Sequence, residues 1–233
     1  MEGERRRFLV STAALGVMGL DALTARAADK KDEADEEVGA TEDLMREHGV
    51  LDRILLIYEE GLRRLHAKQE VDPEVFRHPA ELVRKFVEDY HEKLEENFIF
   101  PAFEKQKKLP DLTQTLRQQH LAGRAVTDVV LRNATGDRFG KEDARKELVK
   151  AVRGFIRMYR PHAAREDTVL FPALHKVLTA KQIADLGDQF EKEEDRLFGD
   201  EGFEKTVDQV AGIEKQLGIY DLARFTPKVA GKE

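Results

Sequence analysis

His91-Glu92-Lys93-Leu94-Glu95-Glu96-Asn97-Phe98-Ile99-Phe100-Pro101-Ala102 decides the fold, because the chain contains it twice. The second copy is His162-Ala163-Ala164-Arg165-Glu166-Asp167-Thr168-Val169-Leu170-Phe171-Pro172-Ala173. In both, a histidine is followed four residues later by a glutamate and ten residues later by Pro-Ala. The words before the prolines also match, Phe98-Ile99-Phe100 against Val169-Leu170-Phe171. Residues four apart sit one above the other on a helix, roughly 6 Å along its axis. Each copy therefore sets an imidazole and a carboxylate on one helical face.

Working outward, the repeat reaches further back. His48 precedes His91 by 43 residues, and His120 precedes His162 by 42. Each histidine is a polar member of an apolar stripe at spacings of three and four. The first stripe is Leu44, His48, Leu51, Leu55, Tyr58, Leu62 and Leu65. The second includes Val83, Val87, His91, Leu94 and Phe98, with Glu95 beside it. The third is Leu116, His120, Gly123, Thr127 and Val130. The fourth runs Leu148, Val152, Phe155, Tyr159, His162, Glu166, Val169 and Ala173.

Thr41-Glu42-Asp43 reads as the start of the first helix, with an N-cap and acids in the first turn. His78-Pro79 reads as the opening of the second, and Lys107 to Asp111 as the break before the third. Asn133 to Gly140 reads as a turn. Four long helices with short links predict an all-α, up-down-up-down antiparallel four-helix bundle over residues 41–178. Residues 179–233 form an extension with additional C-terminal helices, ended by Leu217-Gly218. The tail with Tyr220 and Phe225 is expected to pack back on the bundle.

A fully ionised glutamate in such a stripe is costly to bury without a cation. Two facing His-x-x-x-Glu helices supply two carboxylates that can bridge two metals, and the other helices add one imidazole each. The metal-ligand candidates are thus His48, His91, Glu95, His120, His162 and Glu166. Imidazole with carboxylate suits iron, zinc or manganese, and bridging carboxylates favour a bimetallic site with oxygen chemistry.

Glu92 has two readings. One is an additional labile ligand; the other, expected from a direction about 100° away from His91, is a residue of an exposed face. Tyr159 either donates a hydrogen bond near the centre or fills the core. Phe98, Phe155 and Val169 are expected to line a dry pocket, and Pro161 to help aim His162. His66, His78 and His175 are expected on the surface or at caps.

The words Glu47-His48-Gly49, His91-x-x-x-Glu95-Glu96, His120 and His162-x-x-x-Glu166-Asp167, with Phe-Pro-Ala after them, resemble the hemerythrin family in its bacterial cation-binding (HHE) branch. The resemblance covers about residues 41–178. It implies a carboxylate-bridged di-iron centre, with His48, His91, His120 and His162 as terminal ligands and Glu95 and Glu166 as bridges. It implies binding or sensing of dioxygen, nitric oxide or another small diatomic ligand. The alternatives are an enzyme reducing peroxide or nitric oxide with an external electron donor, an iron-handling protein, or a bundle that holds nothing or only zinc. Oxygen-carrying hemerythrins have two histidines four apart on the third helix; here Leu116 and Arg124 flank His120 at that spacing. The resemblance therefore leans away from simple reversible oxygen carriage.

At the N-terminus, Arg5-Arg6-Arg7-Phe8-Leu9 leads into a short apolar run, and Ala25-Arg26-Ala27 supplies small residues two apart. This reads as a signal peptide over residues 1–27; the alternative is an uncleaved membrane anchor. The Arg-Arg-x-Phe-Leu word resembles a twin-arginine signal, a route that exports folded proteins. The expected location is periplasmic or otherwise exported, with membrane contact only during export. Residues 28–40 are highly charged and read as a flexible lead.

Composition narrows the chemistry. Among 233 residues there is no cysteine, which removes disulfides, iron–sulfur ligation and thiolate zinc sites. The formal net charge is −7, which opposes nucleic acid as a partner.

Overall fold

The computed structural model describes residues 39–228. The expected signal peptide at 1–27 and nearly all of the lead at 28–40 lie outside them. Among the described residues there is no strand, and no helix is long and apolar enough to cross a membrane. Four long helices make the antiparallel bundle. The first spans Ala40–His66, the second residues 74–105, the third Pro110–Asn133 and the fourth residues 142–176. A C-terminal hairpin follows, with helices Ala180–Phe198 and Gly202–Leu217.

The stripes face inward. Leu44, Leu51, Leu55 and Tyr58 of the first helix, Val83 and Val87 of the second, Leu116 and Val130 of the third, and Leu148, Val152 and Phe155 of the fourth are all buried. The first helix also buries Val50, Ile54 and Ile57. These lie off its bundle seam, and the C-terminal hairpin packs against the same helix. Arg53 on that side donates to Glu214 of the hairpin, Nη2 to Oε2, at 2.6 Å.

The second and fourth helices change pitch where the repeat predicts equivalence. Residues Glu95–Ile99 and Glu166–Leu170 are π-helical turns, each directly before the Phe-Pro-Ala word. A further π segment covers Val83–His91. The prolines help explain the two matched turns. Pro101 has no N–H to return to the Glu96 carbonyl in a π turn, and Arg117 Nη2 donates to that carbonyl instead, at 3.1 Å.

Several local expectations are corrected. The first helix begins at Ala40, capped by Gly39 without a side-chain bond, so Thr41 is not its N-cap; Ala40 is already buried and continues the packed face. The second helix begins at Glu74. Asp72-Pro73 sets its start, the Asp72 carboxylate accepting from Glu74 N at 3.0 Å, and Pro79 lies inside the helix. The 133–140 turn contains a short helix, Gly136–Phe139, whose Phe139 is buried. The tail does not pack back through its aromatics: Tyr220, Leu222 and Phe225 are exposed.

Candidate metal centre

The bundle brings all six candidate residues together in its interior. Glu95, His120 and Glu166 are fully buried, and His48, His91 and His162 nearly so. The imidazoles form two pairs, with Nε2 of His48 3.0 Å from Nε2 of His91, and Nε2 of His120 3.2 Å from Nε2 of His162. Each glutamate reaches across both pairs. Glu95 Oε2 lies 3.7 Å from His91 Nε2 and 3.4 Å from His120 Nε2. Glu166 Oε2 lies 3.5 Å from His48 Nε2 and 3.1 Å from His162 Nε2. Two groups of donor atoms result, His48–His91–Glu95 and Glu95–His120–His162–Glu166, joined through Glu95.

The outer ring nitrogens explain why the inner ones are acceptors. His48 Nδ1 donates to Asp167 at 2.7 Å, His91 Nδ1 to Glu47 at 2.7 Å, His120 Nδ1 to Glu96 at 3.1 Å, and His162 Nδ1 to Gln119 Oε1 at 2.9 Å. In its neutral form each imidazole, its Nδ1 proton held by this network, would carry its Nε2 lone pair inward. The partners form a ring that follows the internal repeat. The residue before the first histidine of each hairpin, Glu47 or Gln119, holds the second histidine of that hairpin. The residue after each glutamate, Glu96 or Asp167, holds the first histidine of the other hairpin. Sequence reasoning quoted Glu47, Glu96 and Asp167 without giving them this role and missed Gln119. Their adjacency to the ligand candidates was the available signal.

This donor set fits a pair of divalent cations. None of the four carboxylate oxygens of Glu95 and Glu166 has a hydrogen-bond partner, although both residues are 0% exposed. A buried carboxylate without a hydrogen bond costs several kcal/mol, and two neutral imidazoles facing through Nε2 repel. Cations placed among them would relieve both.

The electrostatics show the same strain. Burial, and then the Glu166 charge, push the Glu95 carboxyl up. Burial also opposes charge on Glu166, but His162 and His48 outweigh it and hold that carboxyl down. Burial works against the His48 imidazolium, yet the Asp167 hydrogen bond and the Glu166 carboxylate raise it to about 10. Burial and the neighbouring His48 charge push His91 well below its ordinary value. The protein alone thus balances its buried carboxylates with protons, a role that metal ions take over on binding.

The pitch change corrects the expected pocket lining. A π turn carries one extra residue, so the residue five after each glutamate returns to the inner face. Phe100 stacks on His120 at 5.4 Å between ring centroids, and Phe171 on His48 at 5.6 Å. Phe98 and Val169 are only half-buried, and Phe98 turns toward Phe190 of the C-terminal hairpin. Phe155 is buried as expected and packs on Tyr159, centroids 4.3 Å apart.

Glu92 is also corrected: it is 1% exposed, not on an open face. The Tyr159 hydroxyl donates to its Oε1 at 2.6 Å, and Arg124 Nη2 lies 2.7 Å from its Oε2. Arg124 thereby makes burial possible, and it also reaches Glu96 at 2.8 Å. Burial, moderated by these partners, raises the Glu92 carboxyl to about 8. Tyr159 both fills the core and makes a hydrogen bond, with its ring 5.3 Å from that of His162. Gly123 is needed here, because a Cβ at that position would collide with the Tyr159 ring and hydroxyl. Pro161 is exposed within an unbroken helix, and the Gln119 hydrogen bond orients His162. His66, His78 and His175 are exposed and away from the centre.

The C-terminal hairpin touches the ring from outside. Buried Glu194 lies with Asp43 and Glu47, their carboxylate oxygens within 4.8 Å of one another. Tyr90 Oη and the Phe203 N–H both donate to Glu194, at 3.3 and 2.7 Å.

A helical bundle with a buried cluster of four histidines and two glutamates fits a class, the cation-binding four-helix proteins. Residues 39–174 match the Hemerythrin HHE cation binding domain, and the chain belongs to that family. It is also similar to uncharacterized proteins of Mycobacterium bovis and of two Mycobacterium tuberculosis strains, 47% identical over 232 residues, covering 97% of this chain and 91% of each relative. That similarity extends beyond the family match into the C-terminal hairpin. No solved structure matches the chain.

Proposed function

We propose that this is a non-haem di-iron protein of the bacterial cell envelope that binds or senses dioxygen, nitric oxide or a related small ligand. His48 and His91 would hold one iron and His120 and His162 the other, with Glu95 and Glu166 reaching both. The observation that carries the reading is the set of four buried carboxylate oxygens, none with a hydrogen bond, facing four imidazole Nε2 atoms. Imidazole with carboxylate suits iron, zinc or manganese, and paired carboxylates in a bundle core suit iron or manganese. Bound iron supplies redox electrons and open coordination positions. The protein's part is to fix the imidazole tautomers through Asp167, Glu47, Glu96 and Gln119. Phe100 and Phe171 cover two of the imidazoles and keep water away. Export through a twin-arginine route rests on the Arg5-Arg6-x-Phe8-Leu9 word, and would deliver the bundle already folded.

A second reading, an enzyme reducing peroxide or nitric oxide with electrons from a separate donor, is favoured by the Tyr159–Glu92 pair. The pair lies beside the centre, and burial raises the Glu92 carboxyl to about 8, a range suited to proton transfer near neutral pH. Anaerobic loading with ferrous iron, followed by dioxygen or nitric oxide, separates the readings. Optical bands that appear with the gas and fade under vacuum support binding. Sustained turnover with an artificial donor, lost in Glu166→Ala, supports the enzyme. Protein that takes up no iron and gives no bands contradicts both.

A further inference from the structure

A groove of about 690 Å³ lies between the C-terminal end of the first helix and the N-terminal half of the fourth, well away from the metal centre. Lys68, Arg145, Lys146, Lys150 and Arg153 line it, over apolar Leu65 and Val149, with Glu142 the acid in the lining. Through Arg153 it continues into a second depression of about 410 Å³ that adds Arg157, with Glu59 in its lining and Arg63 paired to Glu60. This is a concentration of positive charge on a chain whose net charge is −7.

Along the fourth helix the cations keep a helical register. Lys146, Lys150, Arg153, Arg157 and Arg160 follow one another at intervals of four, three, four and three, which places them in one stripe. Its ends are neutralised, Lys146 by Glu142 at 2.6 Å and Arg160 by Glu59 at 2.8 Å. Its middle is not. Among the described residues, Lys150, Arg153 and Arg157 have no ion-pair or hydrogen-bond partner, and neither do Lys68 and Arg145 across the groove. Several surface cations elsewhere are matched, Arg77 with Glu74 and Glu81, Arg84 with Asp128, Lys181 with Asp185 and Arg196 with Glu193. What sets the stripe apart is that its unpaired cations share one helical register over an apolar floor.

We propose that this groove docks an acidic helix of a partner protein. An α-helix bearing carboxylates at alternating spacings of three and four repeats its charges at the same interval as the stripe. The unpaired run from Lys150 to Arg157 is roughly 10 Å, about two turns of such a helix, and too long for a single small anion. Apolar Leu65, Val149 and Ile156 in the two depressions give a helix side chains to bury between its charges. The net charge of −7 opposes a phosphate backbone that extends beyond the groove.

The test uses the metal-loaded full chain and a synthetic 18-residue helical peptide with glutamates at alternating three- and four-residue spacing. A peptide of the same composition with its glutamates scattered around the helix is the control. The striped peptide is expected to bind at low salt, tenfold or more tightly than the control, and to weaken as salt rises. The double reversal Lys150→Glu with Arg153→Glu is expected to abolish that preference while metal content and helical circular dichroism stay unchanged. Should this variant misfold, Arg157→Glu alone is expected to cost at least threefold. Equal binding of the two peptides, indifference to the reversals, or tighter binding of a DNA duplex or of phosphatidylglycerol vesicles overturns the proposal.

Discussion

At the residue scale, the centre is defined by what its outer nitrogens touch. Glu47 and Asp167, both carboxylates, hold the His91 and His48 pair, whereas Glu96 and the neutral Gln119 hold the His120 and His162 pair. A carboxylate partner makes an imidazole a stronger donor than an amide does. The two cation positions are therefore unequal despite the repeat. Glu47→Gln is expected to weaken the His48–His91 position about tenfold or more, read as separation of two steps in a titration against a chromophoric chelator. A single unchanged step contradicts it. Protons report on the same centre. The folded-state pKa values of His48 and Glu95 are raised, so the folded metal-free chain holds more protons than the unfolded one. That stability is complete below about pH 6.5 for His48 and fades as pH climbs toward about 10. Denaturation midpoints of metal-free protein are expected to fall between pH 7 and 9.5, and those of metal-loaded protein to fall less. Gly123→Ala forces Tyr159 away from Glu92 and is expected to cost about 1–3 kcal/mol, measured by chemical denaturation. The six candidate ligands were legible because buried charge in an apolar stripe is conspicuous. Glu92 was misread because helical phase alone gave no sign that Arg124, on another helix, would meet it.

At the element scale, the stripes located four helices and their inward faces, but not their pitch. The π turns at Glu95–Ile99 and Glu166–Leu170 add one residue per turn, and a 3.6-residue period cannot register that. This is why Phe98 and Val169 were expected at the pocket while Phe100 and Phe171 occupy it. The matched Phe-Pro-Ala words recorded the equivalence of the two turns without disclosing their geometry. Phe171→Ala removes the ring that stacks on His48 and is expected to cost about 3–5 kcal/mol of stability. Metal release to a chelator is expected to speed up as well, while Phe98→Ala, at a half-buried position, costs less. Equal effects at the two positions count against the register argument. Helix starts were read less well than helix faces. A capping pattern such as Thr41-Glu42-Asp43 marks a plausible first turn, yet packing of Ala40 carried the helix past it.

At the scale of the whole molecule, the family bundle is one part of a larger core. The first helix is buried on its seam and on the side facing the C-terminal hairpin, and Glu194 of that hairpin lies with Glu47, which holds His91. The sequence showed that further helices existed after residue 179 but not where they pack, because an amphipathic face does not name its partner. Phe190→Ala, at a fully buried hairpin position, is expected to lower bundle stability by about 3–5 kcal/mol in the same cooperative transition. Two separate transitions would mean that hairpin and bundle fold independently. The central claim, that buried histidines and glutamates tolerate the interior because they share two metal ions, has one most direct measurement. Crystals of the full chain loaded with iron, measured at the iron absorption edge, are expected to show two anomalous peaks per molecule. One should lie between His48 and His91 and the other between His120 and His162, with Glu95 and Glu166 touching both. No peak within that cluster, or iron bound only at surface carboxylates, contradicts the account.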